Sequence, residues 1–167
     1  MNRHAWVWLL LGLLTLGKLN AAELDGRYDD VESLVYSLAP QLFGTSATGI
    51  RELAPVLSEQ SEIRQDPFEP ENWHASTQLK FAGLSLQFVE ASDREGITVV
   101  QFSVSDLGHL APFARARFQD TYSVTKLLGP PMTVAGDQWT YQGHHSSLQI
   151  DFEQGQVASI SVWLHWC

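Results

Sequence analysis

The chain has 167 residues, ten basic and nineteen acidic side chains, a net charge of −9, and 44% hydrophobic residues including six Trp and eight Phe. That apolar content supports one domain of ordinary size, or two small units sharing a core, and excludes a disordered chain. The acidic balance argues against nucleic acid or anionic membrane as partner, since both demand a basic footprint.

The chain opens on Met1-Asn2-Arg3-His4, a short basic start, followed by the apolar run Ala5 to Gly17 and the small residues Ala21-Ala22 before Glu23. Residues 1–22 therefore read as a secretory signal peptide, with cleavage near Ala22 and a periplasmic or secreted mature protein. The run is short for a membrane span, which needs roughly 20 apolar residues, so no stable insertion is expected once it is removed. No cysteine stands near the cleavage point to carry a lipid. Loss of Arg3 and Lys18 would make the mature chain more acidic still.

Residues 23–76 read as a helical segment and an acidic loop. Asp29-Asp30 offers an N-cap for Val31, Leu34, Val35, Leu38 and Leu42 at helical spacing, with Pro40 ending the helix. Ile50, Leu53, Ala54 and Leu57 suggest a second helical piece, and Glu59 to Glu71, with Pro67 and Pro70, reads as a loop. From Thr77 the period becomes two. Residues 77–110 form a first three-strand unit on Leu79/Phe81, Leu84/Leu86/Phe88 and Ile97 to Val104, followed by the turn Asp106 to His109.

Residues 111–167 form a second unit. Pro112 opens a helix carrying Phe113, Ala116, Phe118, Tyr122 and Leu127, which Gly129-Pro130-Pro131 stops. Three strands follow at Trp139 to Tyr141, Leu148 to Phe152 and Val157 to Trp166. The two units match in pattern: Leu79 to Gly83 aligns with Trp139 to Gly143, Ser85 to Phe88 with Ser147 to Ile150, and Phe102-Ser103-Val104 with Ile160-Ser161-Val162. The expected fold is α+β: duplicated helix-plus-three-strand units, an antiparallel sheet with helices on one face, and residues 77–167 sharing one core with 23–60.

The run Thr125 to Pro131, the Trp139-Thr140-Tyr141 strand, Leu148 to Phe152 and Gly155-Gln156-Val157 form a helix ending in LLGxP, a WxY strand, an LxIxF strand and a GxV turn. This resembles the SmpA/OmlA outer-membrane assembly lipoproteins and the tandem-repeat β-lactamase inhibitor proteins that share their fold. The likeness covers residues 112–164, and the first half only through the duplication. It implies a protein that grips another protein with its sheet face. The chain departs from both by lacking the lipoprotein cysteine and the inhibitors' disulfides, since Cys167 is its only cysteine.

No HExxH, GxSxG, P-loop or CxxC motif is present. Strand alternation sends Ala158, Ile160, Val162, Leu164 and Trp166 toward the helices and leaves Val157, Ser159, Ser161, Trp163, His165 and Cys167 outside, with Ser147, Gln149 and Asp151 outside on the preceding strand. The expected partner-binding face is therefore Trp163, His165, Ser161, Gln149 and Asp151, with His144 and His145 on the adjoining turn. An aromatic anchor among small polar residues suits protein recognition. The chain is expected to be a non-enzymatic inhibitor or immunity-type protein acting on a secreted or envelope enzyme, without cofactor or metal, and steered to a basic envelope protein. Two alternatives stay open: an envelope assembly factor, and an enzyme using the histidines with a metal, to which Asp106, His109 and Asp137 would add ligands. A Cys167–His165 nucleophile pair is a further, weaker option.

Overall fold

A computed structural model describes residues 21–65, 67–93 and 95–165, with the backbone alone for 21–28. The expected signal segment lies outside the described residues except for Ala21 and Ala22, whose backbone is helical. Helix α1 runs Ala21–Leu38, so it extends well before the Asp29-Asp30 cap expected from sequence. It presents Val31, Leu34, Val35 and Leu38 as one buried stripe, the i, i+3, i+4, i+7 pattern that placed it. It ends where Pro40, which has no N–H to give, opens a 3-10 turn over Pro40–Leu42. A short α2, Ala47–Arg51, is capped by the Ser46 hydroxyl on the Gly49 N–H at 3.1 Å. It stops before Leu53 and Leu57, which are exposed rather than helical core.

Four strands follow: β1 Ser58–Gln65, β2 Trp73–Phe81, β3 Leu84–Ala91 and β4 Thr98–Val104. The acidic segment read as a loop is thus mostly strand. Its residues are exposed throughout because it forms the sheet edge beyond the helices' cover, which is why it shows no apolar alternation. The helix expected from Pro112 is two helices, α3 Pro112–Arg117 and α4 Thr121–Leu128. Between them Phe118 is fully buried, and Asp120 caps α4 by accepting the Ser123 N–H at 2.7 Å. The residues that reach the core here are Ala114, Phe118, Val124 and Leu128, whereas Phe113 and Tyr122 are exposed. Then come β5 Thr133–Ala135, unforeseen in the sequence, β6 Gln138–Gln142, β7 Ser146–Glu153 and β8 Gln156–Leu164.

All eight strands make one antiparallel sheet in the order β1-β2-β3-β4-β8-β7-β6-β5. Each run of four consecutive strands is a meander, and the two meanders meet where β4 pairs with β8: Gln101 opposite Trp163, Phe102 opposite Val162, Ser103 opposite Ser161, Val104 opposite Ile160. The helices supply Val35, Leu38, Leu42, Ile50, Ala114 and Val124 to a single core with the inward side chains of the sheet, among them Leu79, Leu86, Phe88, Phe102, Leu148, Ile150 and Ile160. Trp139 is partly buried against this core, its ring edge-on to Phe152 at 4.8 Å between centroids. The opposite face of the sheet is uncovered by any described element.

The ladders correct two details of the sequence reading. Between Asp151 and Phe152 the register slips, pairing Asp151 with Ser159 but Phe152 with Val157. Ala158 is the extra residue of a bulge, and the bulge turns Val157 into the core instead of outward. The same slip occurs in the first meander, where Gln87 pairs Gln101 and Phe88 pairs Val99, leaving Val100 extra. Partners also place Leu84 (opposite Phe81 and Val104) in the position that Leu148 holds opposite Tyr141 and Val162, two residues from the alignment read in the sequence.

Candidate binding face

The outward residues of the four central and second-half strands are almost all Ser, Gln and Thr, because the face carries no helices and its side chains must satisfy themselves against each other and water. Trp163 lies in the midst of them, half-buried, on β8 between Gln101 of β4 and Ser147 of β7. Beside it Ser161 donates to or accepts from Ser103 at 2.9 Å, across the junction of the two meanders. Gln149 is opposite Ser161 and Thr140. The strand parity expected for Trp163, Ser161, Gln149 and Asp151 therefore holds, and the structure brings these four onto one surface.

Asp151 lies within this part of the face, with Glu153 beyond it at the exposed end of β7, and three donors converge on Asp151: Ser159 Oγ at 2.7 Å, Gln138 Nε2 at 2.9 Å and Gln149 Nε2 at 3.3 Å. Burial by itself would raise the pKa of this group, but the hydrogen bonds from Ser159, Gln138 and Gln149 together outweigh it and hold the carboxyl below its ordinary value. Its acceptor capacity is thus turned inward along the surface, fixing β6, β7 and β8 in register.

His165 follows the end of β8, exposed, with Nε2 at 3.0 Å from Ser147 Oγ. A serine hydroxyl within hydrogen-bond reach of an imidazole resembles a nucleophile and its base, so the proton assignment matters. Gln142 donates Nε2 to the carbonyls of Gly143 and Ser146, which leaves its Oε1 facing Ser147; the Ser147 hydroxyl donates to that oxygen at 2.9 Å. With its one proton committed there, Ser147 receives from His165, whose Nε2 carries the hydrogen. The imidazole acts here as a donor, the opposite of what a general base must do.

His144 is turned toward α1 rather than this face, and His145 is held through its backbone. The β6–β7 turn bends against α1: His144 Nε2 lies 3.4 Å from Asp29 Oδ1, and Glu32 Oε2 accepts the His145 backbone N–H at 3.1 Å and the Ser146 hydroxyl at 2.7 Å. The link to the face is through the backbone, where the His165 N–H donates to the His145 carbonyl at 2.7 Å. Docking of the turn needs Gly143, because a Cβ there would sit 2.6 Å from Glu32 Oε2 and 3.3 Å from the Glu32 backbone nitrogen.

The other ligand candidates serve the turns. Asp106 accepts the Gly108 N–H at 2.8 Å, His109 Nε2 bonds the Ala82 carbonyl at 2.6 Å, and the Asp137 carbonyl takes the Phe152 N–H. Among the described residues no group of three or more His, Cys, Asp or Glu is placed to hold a metal ion. Cys167 lies outside the described residues. The sequence reading placed Ser159 outside but left it out of the expected face, and it missed Gln138, Gln142 and Ser103, which complete the surface network; their signal was the polar residue at nearly every outward position of four strands, legible only once the strands were ordered. Among the described residues no helix is long and apolar enough to cross a membrane. Compared with protein families, curated proteins and solved structures, the chain finds no match.

Proposed function

We propose that the chain is an exported, non-enzymatic protein that grips another protein of the cell envelope through the uncovered face of its sheet, as an inhibitor or immunity-type protein. The observation that carries this reading is Trp163: a half-buried indole among Ser, Gln and Thr, where the carboxylate of Asp151 already has its oxygens engaged and Glu153 lies out at the exposed end of β7. Aromatic anchors surrounded by small polar groups and short of charge are the composition of interface centres. The acidic balance of the chain, −9 over its length, favours a basic partner and faster encounter at low salt.

The same reading includes an internal duplication and kinship with the SmpA/OmlA and β-lactamase-inhibitor fold. The two meanders carry their bulges at corresponding places, Val100 and Ala158, and Ser103 and Ser161 face each other across the junction, the arrangement a two-fold relation between repeats would produce. An assembly role in the envelope uses the same face and differs only in what is gripped. The Ser147–His165 contact favours an enzyme only if the imidazole accepts, and its partners direct it to donate.

Replacing Trp163 by Ala should weaken capture of the envelope partner by more than about 2 kcal/mol, as for a central anchor, while leaving the circular-dichroism spectrum unchanged. The paired variant H144A/H145A should bind normally. Normal binding by the W163A protein, with loss of a bound metal or an activity in the histidine variant, would transfer the function to the turn.

A further inference from the structure

The two edges of the sheet are built differently. β5 is three residues long and follows Pro130-Pro131, a short edge behind residues that cannot extend a ladder. β1 is eight residues long, has no proline, pairs with β2 over its whole length without a register slip, and is exposed at every position. Among the described residues no strand pairs with its other side. Apolar side chains open to water lie on and beside it, Leu57 at 68% exposure and Ile63 at 69%, as Met132 at 67% and Val134 at 57% do at the shorter β5 edge. A long regular edge with apolar groups in water is a template for adding a strand.

We propose that β1 is a self-association edge, pairing antiparallel with β1 of a second copy so that the two sheets become continuous. The sequence of the strand selects that occupant. Two identical antiparallel strands related by a two-fold must place one residue opposite itself, since directly opposed residues share a face. Centring on Glu62 or Arg64 sets like charges against each other. Centring on Ile63 sets Ile63 against Ile63, flanked by Ser61 opposite Gln65, on one face and, on the other, Glu62 of each copy against Arg64 of its mate. Glu62 and Arg64 lie side by side on the outer face, 2.9 Å apart within one strand and exposed to solvent, so both reach across without leaving a buried charge behind. Opposite charges and apolar pairs directly across an antiparallel ladder are the stabilising ones. The edge lies at the far end of the sheet from Trp163, so the dimer leaves the proposed partner face open.

Sedimentation velocity over a range of concentrations tests this on the purified chain. The unaltered protein should show a reversible monomer–dimer equilibrium. Glu62→Arg, which sets arginine against arginine in the stated register, should raise the dissociation constant at least tenfold with an unchanged circular-dichroism spectrum. The reciprocal swap E62R/R64E should restore dimerisation, because position 62 again faces its opposite charge. Ile63→Lys should abolish it. A protein that stays monomeric at all concentrations, or a dimer indifferent to E62R and I63K, overturns the proposal. So does a swap that fails to rescue, because the register would then be wrong. Strand addition by an unrelated peptide to a strictly monomeric protein would likewise replace self-association with heterologous pairing.

Discussion

At the scale of single residues, Asp151 is the group whose ionisation is most tied to the folded face. Burial disfavours its charged form, but the hydrogen bonds from Ser159, Gln138 and Gln149 are strongest to the ionised carboxylate and prevail to depress its pKa. A carboxyl whose folded pKa lies below its unfolded one contributes stability fully above the unfolded value, about pH 4, and loses it as pH falls through the lower folded value. Asp151→Asn should therefore cost roughly 1–2 kcal/mol near neutrality, the scale of hydrogen bonds to a charged acceptor. The difference between the two proteins should shrink in acid below about pH 4. Urea unfolding at a series of pH values measures it. A difference constant from neutrality to pH 2 would mean that the charge of Asp151 takes no part in holding β6, β7 and β8.

At the scale of elements, the docking of α1 on the β6–β7 turn rests on one carboxylate and one glycine. Glu32 satisfies the His145 N–H and the fully buried Ser146 hydroxyl, and Gly143 leaves the room it needs. A methyl at 143 forces Glu32 and Ser146 apart, so Gly143→Ala should destabilise by about 1–3 kcal/mol, the range for overpacking. Glu32→Ala should cost a similar amount by leaving a buried hydroxyl without its partner. Because both changes remove the same contacts, their effects in the double variant should fall well short of additive. Thermal melts of the four proteins decide, and simple additivity would separate the glycine from the carboxylate. This contact also marks where the sequence stopped being readable. Strands with one buried face, such as Leu84-Leu86-Phe88 and Leu148-Ile150-Phe152, announce themselves by alternation, and the α1 stripe by its 3.6-residue period. β1 and β5 do not, since both of their faces meet water at the sheet edges. Phe118 hides the break between α3 and α4, because an apolar residue at helical spacing reads as one more turn of the same helix. The parity of Trp163, Ser161, Gln149 and Asp151 is local and was legible. The docking of His144 and of the His145 backbone on α1 depends on a helix more than a hundred residues away, and no local pattern encodes it.

At the scale of the whole molecule, the two meanders are joined where neither is complete. β4 and β8 pair over four residues, and the side chains they send inward there, Phe102, Val104, Ile160 and Val162, are all fully buried. The helices bridge the halves as well: α1 precedes the first meander in the chain but docks on the β6–β7 turn of the second. Separating the halves would open an unpaired strand edge on each and expose apolar side chains on both sides of the junction. Each fully buried Val, Ile or Phe returned to water forfeits about 1.5–3 kcal/mol, and four of them at the junction approach the whole stability of a domain of this size. The chain should therefore unfold as one unit, with tryptophan fluorescence and far-UV circular dichroism reporting the same midpoint in urea. Residues 21–110 expressed alone should lack a cooperative transition, although they contain a complete meander and α1, because β8, which pairs with β4, and the β6–β7 turn on which α1 docks lie in the missing half. Two resolved transitions, or a cooperative melt of that fragment, would show that a meander and its helices stand alone. The duplication would then be one of independent domains placed side by side rather than of two half-cores that exist only together.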